Sequence, residues 1–125
     1  MIAVTIYMLA TLAIIGLHLA LVLGAPWGVM TMGGQVTGQL PAAMRVGSAL
    51  QAMILAFLAL VVAEHAGVAQ TGLVPGFAWL IWLPVAVSGV SFLLNTVVTQ
   101  SRPERLFGAP MTALLLGSSL TVALS

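Results

Sequence analysis

Only five of the 125 residues carry a formal charge, and their positions constrain the fold more than any other feature. They are Arg45, Glu64, Arg102, Glu104 and Arg105. A soluble domain carries about 25% charged residues, whereas this chain has 4% charged and 62% hydrophobic residues. The uncharged stretches are long enough for helices that cross a bilayer, each of which needs about 20 mostly apolar residues. We therefore expect an integral membrane protein.

Four membrane-spanning helices account for nearly the whole length, so we expect one domain of residues 1–125. The predicted spans are about 2–23, 42–66, 77–98 and 106–124. Glycine and proline end the first span at Gly24–Pro26, whereas Pro41 and Pro75-Gly76 stand just before the second and third spans. No positive charge flanks the first apolar run, so we interpret it as a retained span and not as a cleaved signal peptide. The expected fold is an all-α bundle of four transmembrane helices with up-down connectivity.

The arginines predict an orientation in the membrane. Arg45, Arg102 and Arg105 all lie in or beside the predicted loops 24–41 and 99–109. Cytoplasmic loops carry the excess of arginine and lysine, so both loops should be cytoplasmic and both chain termini should face outward. The overall plan resembles that of small four-span bacterial membrane proteins, which implies a multi-pass protein of the bacterial inner (plasma) membrane.

The first loop, residues 24–41, has an unusual composition for a solvated connection. It contains five glycines and two prolines but no charge. A flexible loop at the level of the lipid headgroups would have this character. The alternative is a loop that dips back between the helices, and its backbone would then have to pack against protein, because bare backbone cannot face lipid.

One face of the second span consists only of small residues. They recur at helical spacing and are Ser48, Ala52, Ala56, Ala59 and Ala63. Small residues let helix backbones approach closely in lipid, so this face should pack against a helix of the same chain or of another copy. A homodimer through this face is therefore one expectation, and a smooth pore lining is the alternative.

The third span carries a polar stripe on one face. Its residues follow a helical repeat and are Pro84, Ser88, Ser91, Asn95, Thr99 and Arg102. Polar side chains inside a membrane are costly unless they face the bundle interior or water. The stripe therefore points inward, either as hydrogen-bonding glue between helices or as the lining of a hydrated cleft.

Polar residues of the other spans should meet this stripe near the cytoplasmic face. The candidate ligand- or ion-binding residues are His18, Arg45, Gln51, Ser91 and Asn95, with Thr112 and Ser48 at a similar depth. His18 and Arg45 would respond to protons or anions, and the amide and hydroxyl groups would orient the ligand. The alternative for His18 is a neutral imidazole that binds a neighbouring serine or carbonyl in the core.

Glu64, at the outer end of the second span, is a candidate proton site, although a surface group beside His65 is the simpler interpretation. The chain has no cysteine, and its two histidines lie near opposite ends of spans, so we predict no metal site and no cofactor. No nucleophile motif or phosphate-binding loop is present, and no catalytic residue is assigned. The absence of a basic run makes nucleic acid an unsuitable partner.

Three functional hypotheses remain. The first is a small membrane protein that binds or transports a small molecule or ion through the polar layer. The second is a non-catalytic accessory or assembly subunit that packs on a larger membrane complex through its small-residue face. The third, an intramembrane enzyme acting on a lipid or quinone, is the weakest, because neither His18 nor Glu64 has a clear acid–base partner in the sequence.

Overall fold

The computed structural model describes residues 1–125, and every regular element is a helix. The four α-helices are α1 (Ile2–Val22), α2 (Ala42–His65), α3 (Trp82–Leu93) and α4 (Arg102–Leu124). A 3-10 turn at Ala78–Ile81 precedes α3 and a π-turn at Leu94–Val98 follows it, so that the third span runs from Ala78 to Val98. All four spans are long and apolar enough to cross a membrane, which confirms the predicted number of spans.

The helices do not pack equally on one another. α1 packs against both α2 and α4, and α4 also packs against α3, whereas α2 and α3 touch only sparsely. The apolar core between them is small and consists of Val4, Tyr7, Ala10, Val62, Ile81, Leu115 and Val122. Only 27 of the 125 residues are buried, and large side chains such as Leu12 and Val90 lie on the outside. An apolar exterior of this extent is suited to lipid and not to water.

α4 begins at Arg102, four residues before the predicted start at residue 106. Ser101 is its N-cap residue, and the Ser101 hydroxyl accepts a hydrogen bond from the Glu104 backbone N–H at 3.3 Å. Pro103 lies in the first turn, where its missing N–H would have had no partner in the helix. The charged segment expected to be a loop is therefore helical, because the sequence contains a helix-capping signal that outweighs its polarity.

The first loop is packed against the start of α4 and is not an open connection. Its two 3-10 turns are at Gly28–Met30 and Met32–Gly34. The Ser101 hydroxyl donates to the Val29 carbonyl at 2.5 Å, and the Gly33 N–H donates to the Glu104 carboxylate at 3.1 Å. Loop 1 is therefore packed against the protein, and loops 1 and 3 lie at the same end of the helices.

Five of the six residues of the predicted polar stripe face the interior, whereas the sixth, Arg102, is exposed at the start of α4. Ser88 and Thr99 are 2% and 3% exposed, and Ser91 and Asn95 are half-buried. The π-turn widens the helix at this point, and the Thr99 N–H donates to the Leu94 carbonyl at 2.9 Å.

The small-residue face of α2 is largely covered by the chain itself. Ser48, Ala52 and Ala63 are buried, Ala59 is half-buried and Ala56 is exposed. Small side chains allow close helix packing in lipid, and α1 is the main helix packed on α2. A homodimer through this face stays a prediction. Ala56 is the one residue of the face that is exposed and could contact a second copy.

Candidate functional site

A cavity of about 770 Å³ lies at the end of the bundle where loops 1 and 3 meet. The C-terminal ends of α1 and of the third span line it, together with the N-terminal halves of α2 and α4, and loop 1 contributes Met30, Thr31, Met32, Gly33 and Gln35. Pockets that bind small molecules usually have volumes of about 300–1,000 Å³ and combine apolar walls with a few polar groups. This cavity has that character, since nine of its 22 lining residues are hydrophobic.

Four of the five predicted binding residues line this cavity. They are His18, Gln51, Ser91 and Asn95, and Thr112 joins them from α4. Arg45 does not line the cavity. Its Nε atom instead donates a hydrogen bond to the Leu40 carbonyl at 2.9 Å, so the arginine stabilises the entry into α2.

His18 is both a packed side chain and a cavity residue. It is 7% exposed, and its Nδ1 atom lies 3.3 Å from the Ser48 hydroxyl oxygen across the α1–α2 contact. This hydrogen bond is the one expected of a core imidazole, and which group donates depends on the histidine tautomer. The bond fixes the ring at the cavity wall, so the two interpretations of His18 are compatible.

Asn95 is positioned by the π-turn and by a glycine on α4. Its Nδ2 atom donates to the Ser91 carbonyl at 2.8 Å, and the neighbouring Thr96 hydroxyl donates to the Phe92 carbonyl at 2.7 Å. A π-turn shifts the backbone hydrogen-bond register, and side chains can satisfy carbonyls that lose their usual partner. Gly108 lets this side chain approach α4, because a Cβ atom there would lie 2.7 Å from Asn95 Cγ.

Glu104 is the cavity residue that the sequence interpretation missed. Its side chain is 7% exposed and lines the cavity, and its Oε2 atom accepts the Gly33 N–H. The signal was present in Ser101-Arg102-Pro103-Glu104, which has the form of a capping box. In a complete box the glutamate would bind the N-cap N–H, but the Ser101 N–H donates to the Thr99 hydroxyl at 3.2 Å. The Glu104 carboxylate is therefore directed to loop 1 and the cavity.

Glu64 lies at the opposite end of α2, away from the cavity. Its Oε1 atom accepts hydrogen bonds from the Thr71 N–H, at 3.0 Å, and from the Thr71 hydroxyl. These bonds attach the loop after α2 to the helix end. Glu64 therefore organises a loop in this structure and does not join the other predicted site residues.

Two hydroxyl groups in the core lack a hydrogen bond of good geometry. Tyr7 and Thr11 are 0% and 1% exposed, and the Tyr7 hydroxyl lies near those of Thr11 and Ser88 without a well-formed bond to either. Tyr7 and Thr11 share a face of α1 with His18. The polar face of α1 therefore extends from the cavity into the apolar core.

The lining groups can hold a ligand of mixed character through amide, hydroxyl, imidazole and carboxylate contacts. No group of three or more His, Cys, Asp or Glu side chains is placed to hold a metal ion. Comparisons with protein-family models, curated proteins and solved structures find no match to this chain.

Proposed function

We propose that this multi-pass membrane protein binds or transports a small molecule through the cavity at the loop 1 end of the bundle. The observation that carries the proposal is that His18, Gln51 and Asn95, on three different spans, line one cavity of ligand size. Polar groups are costly inside a membrane and are usually functional when they face a shared space. The His18–Ser48 bond does join two spans, but the Asn95 amide bonds within its own helix, so helix glue does not account for the whole polar layer.

The proposed orientation places the cavity at the cytoplasmic face of a bacterial inner membrane. Loop 1 is hydrogen-bonded to the start of α4, and Arg45, Arg102 and Arg105 all lie at or beside these segments. The excess of arginine at this end supports a cytoplasmic location. Both chain termini would then face outward, and the four helices would alternate in direction.

The opposite end of the bundle supports a cavity that opens to one side only. The apolar cluster there includes Val4, Val62, Ile81 and Val122, and all four are no more than 6% exposed, with Val62 at 0%. Such a cluster excludes water. In a transporter, this cluster would be the barrier that has to separate for the ligand to reach the other face.

The binding test uses three probes of similar shape and different charge: tetraphenylphosphonium, triphenylphosphine oxide and tetraphenylborate. Equilibrium dialysis of the purified protein in detergent, with empty micelles as the blank, measures the affinity for each. The proposal predicts that at least one probe binds and that His18→Ala and Asn95→Ala each weaken its binding about fivefold or more, about 1 kcal/mol, because each substitution removes a side chain that contacts the probe at the cavity wall. Thr121→Ala is the control, since Thr121 bonds only to the Gly117 carbonyl on exposed α4 surface.

Two results would contradict this proposal. One is that no probe binds above the micelle blank, and the other is that binding is unchanged in both cavity variants. Uptake of a bound probe into proteoliposomes, above that of protein-free liposomes, then separates a transporter from a protein that only binds.

The accessory-subunit hypothesis has less support in the structure. It depended on the small-residue face of α2, and Ser48, Ala52 and Ala63 of that face are buried within the chain. An intramembrane enzyme would need an acid–base pair, but the hydrogen-bond partner of His18 is the Ser48 hydroxyl and not a carboxylate.

A further inference from the structure

Glu104 is the only residue with a formal charge among the 22 that line the cavity. The three arginines at the loop 1 end of the bundle do not line the cavity. Arg45 donates to the Leu40 carbonyl, Arg105 donates to the Thr99 carbonyl at 2.7 Å, and Arg102 is exposed. With histidine counted as neutral, the cavity wall therefore carries one negative charge.

The Glu104 carboxylate is held in place but has no cationic partner in the protein. The only hydrogen bond that its side chain makes is the one from the Gly33 N–H. Its position in the first turn of α4 places the carboxylate at the N-terminal end of the helix, which carries partial positive charge. A buried carboxylate is otherwise paired with a cation, so a ligand cation would supply the missing counter-charge.

The rest of the wall indicates what kind of cation would fit. Divalent cations such as Ca²⁺ take six or more oxygen ligands, and this cavity offers one carboxylate and no metal-binding cluster. Phe107 lines the cavity three residues after Glu104, on the same side of α4. Aromatic faces attract cations, and leucines such as Leu17 and Leu55 provide apolar wall.

We propose that the ligand of this cavity is an organic monocation with an apolar body, and that Glu104 is its counter-charge. The inference rests on the proposed function and names its ligand class. The cationic group lies beside the Glu104 carboxylate and Phe107, while the apolar body contacts the leucine side chains. Gln51 and Asn95, which also line the cavity, provide hydrogen bonds to polar groups of the ligand.

The experiment compares the same three probes on the wild-type protein and on carboxylate variants. We expect tetraphenylphosphonium to bind and tetraphenylborate, which has the same shape and the opposite charge, to show no cavity-dependent binding. Glu104→Gln should weaken tetraphenylphosphonium binding about tenfold or more, because it removes a buried charge partner. The glutamine retains an oxygen that can accept the Gly33 N–H, so loop 1 should keep its position.

Two further variants serve as controls. Glu104→Asp keeps the charge and should retain an affinity within about threefold of wild type. This change is smaller than the loss of about tenfold expected for Glu104→Gln. Glu64→Gln makes the same chemical change at the other end of the bundle, on a carboxylate that binds only Thr71, and should leave affinity unchanged.

The outcomes separate this inference from the proposed function. If the neutral or the anionic probe binds as well as the cation, and Asn95→Ala weakens that binding, the cavity is a binding site but the cation assignment is wrong. If Glu104→Gln binds tetraphenylphosphonium as tightly as wild type, the role of Glu104 is likewise refuted. If no probe binds in a cavity-dependent way, both proposals fail.

Discussion

Replacing Gly108 by alanine should disturb the cavity wall through a single added methyl group. A Cβ atom on Gly108 would lie 2.7 Å from Asn95 Cγ and 3.2 Å from Asn95 Cβ. Carbon atoms in favourable contact are about 3.5–4.0 Å apart, so the Asn95 side chain has to move by about 1 Å. That movement breaks or strains its 2.8 Å hydrogen bond to the Ser91 carbonyl.

The free-energy change has two opposing parts. Alanine in place of glycine within a helix stabilises it by about 1 kcal/mol. Losing the Asn95 hydrogen bond costs about 1 kcal/mol, and forcing its side chain off a rotamer costs about 1 kcal/mol more. We therefore expect Gly108→Ala to be less stable than wild type by about 1 kcal/mol.

Gly117→Ala is the matched control, because Gly117 lies on the same helix and a Cβ atom there would have no neighbour within 4 Å. It should gain about 1 kcal/mol from helix propensity, which makes a difference of about 2 kcal/mol between the two variants. The assay is reversible unfolding in mixed detergent micelles, followed by circular dichroism. Equal stability of the two variants would show that Asn95 does not pack on Gly108.

Two other substitutions test the packing of loop 1 and of the core by the same unfolding assay. Ser101→Ala removes both the cap of α4 and the hydroxyl that binds the Val29 carbonyl, so we expect the free energy of unfolding to fall by about 2 kcal/mol. Ser125→Ala, at the chain end, is its control, and equal stability of the two variants would contradict the packing of loop 1 on α4. Tyr7→Phe removes a fully buried hydroxyl that has no well-formed hydrogen bond, so stability should rise by up to about 1 kcal/mol. A clear loss of stability in Tyr7→Phe would mean that the hydroxyl is hydrogen-bonded in the membrane.

The sequence predicted the spans well because hydropathy is an average over many residues. One polar residue hardly changes the hydropathy summed over about 20 residues, and this sum decides whether a helix can span the bilayer. The start of α4 was misplaced because it depends on local capping. There, the Ser101 hydroxyl and Pro103 outweigh the polarity of the segment.

The position of a candidate site residue could be predicted where helical periodicity fixes the side of the helix that the residue occupies. Ser91 and Asn95 share a face of the third span, and the lipid around it leaves the interior as the place for polar groups. Arg45 does not join the cavity lining, because its long side chain turns back to a carbonyl of its own entry loop. Glu104 was missed because its inward position depends on a contact with Gly33, which is 71 residues away in the chain.

The structure also shows why loop 1 could not be decided from composition. A loop rich in glycine can be open or tightly folded, and both alternatives have the same hydropathy. Gly28 makes the compact form feasible, because a Cβ atom there would lie 2.6 Å from the Gly38 carbonyl oxygen. The Gly28 N–H donates to that carbonyl at 2.9 Å, which closes the loop.

The proposed binding function requires a water-filled cavity inside a helix bundle whose outer surface faces lipid. Because the chain has no cysteine, single cysteines can be introduced without removing any native one. Ser91→Cys places a thiol in the cavity, and Val90→Cys places one on the neighbouring outer surface, where Val90 is 58% exposed. Thiols react as thiolates, which form in water and not in hydrocarbon.

The decisive measurement is the rate at which a charged, membrane-impermeant methanethiosulfonate reagent labels each cysteine in oriented membrane vesicles. We expect Ser91→Cys to be labelled rapidly from one face of the membrane only and Val90→Cys to be protected from both faces. Equal labelling of the two cysteines, or protection of Ser91→Cys from both faces, would contradict this expectation.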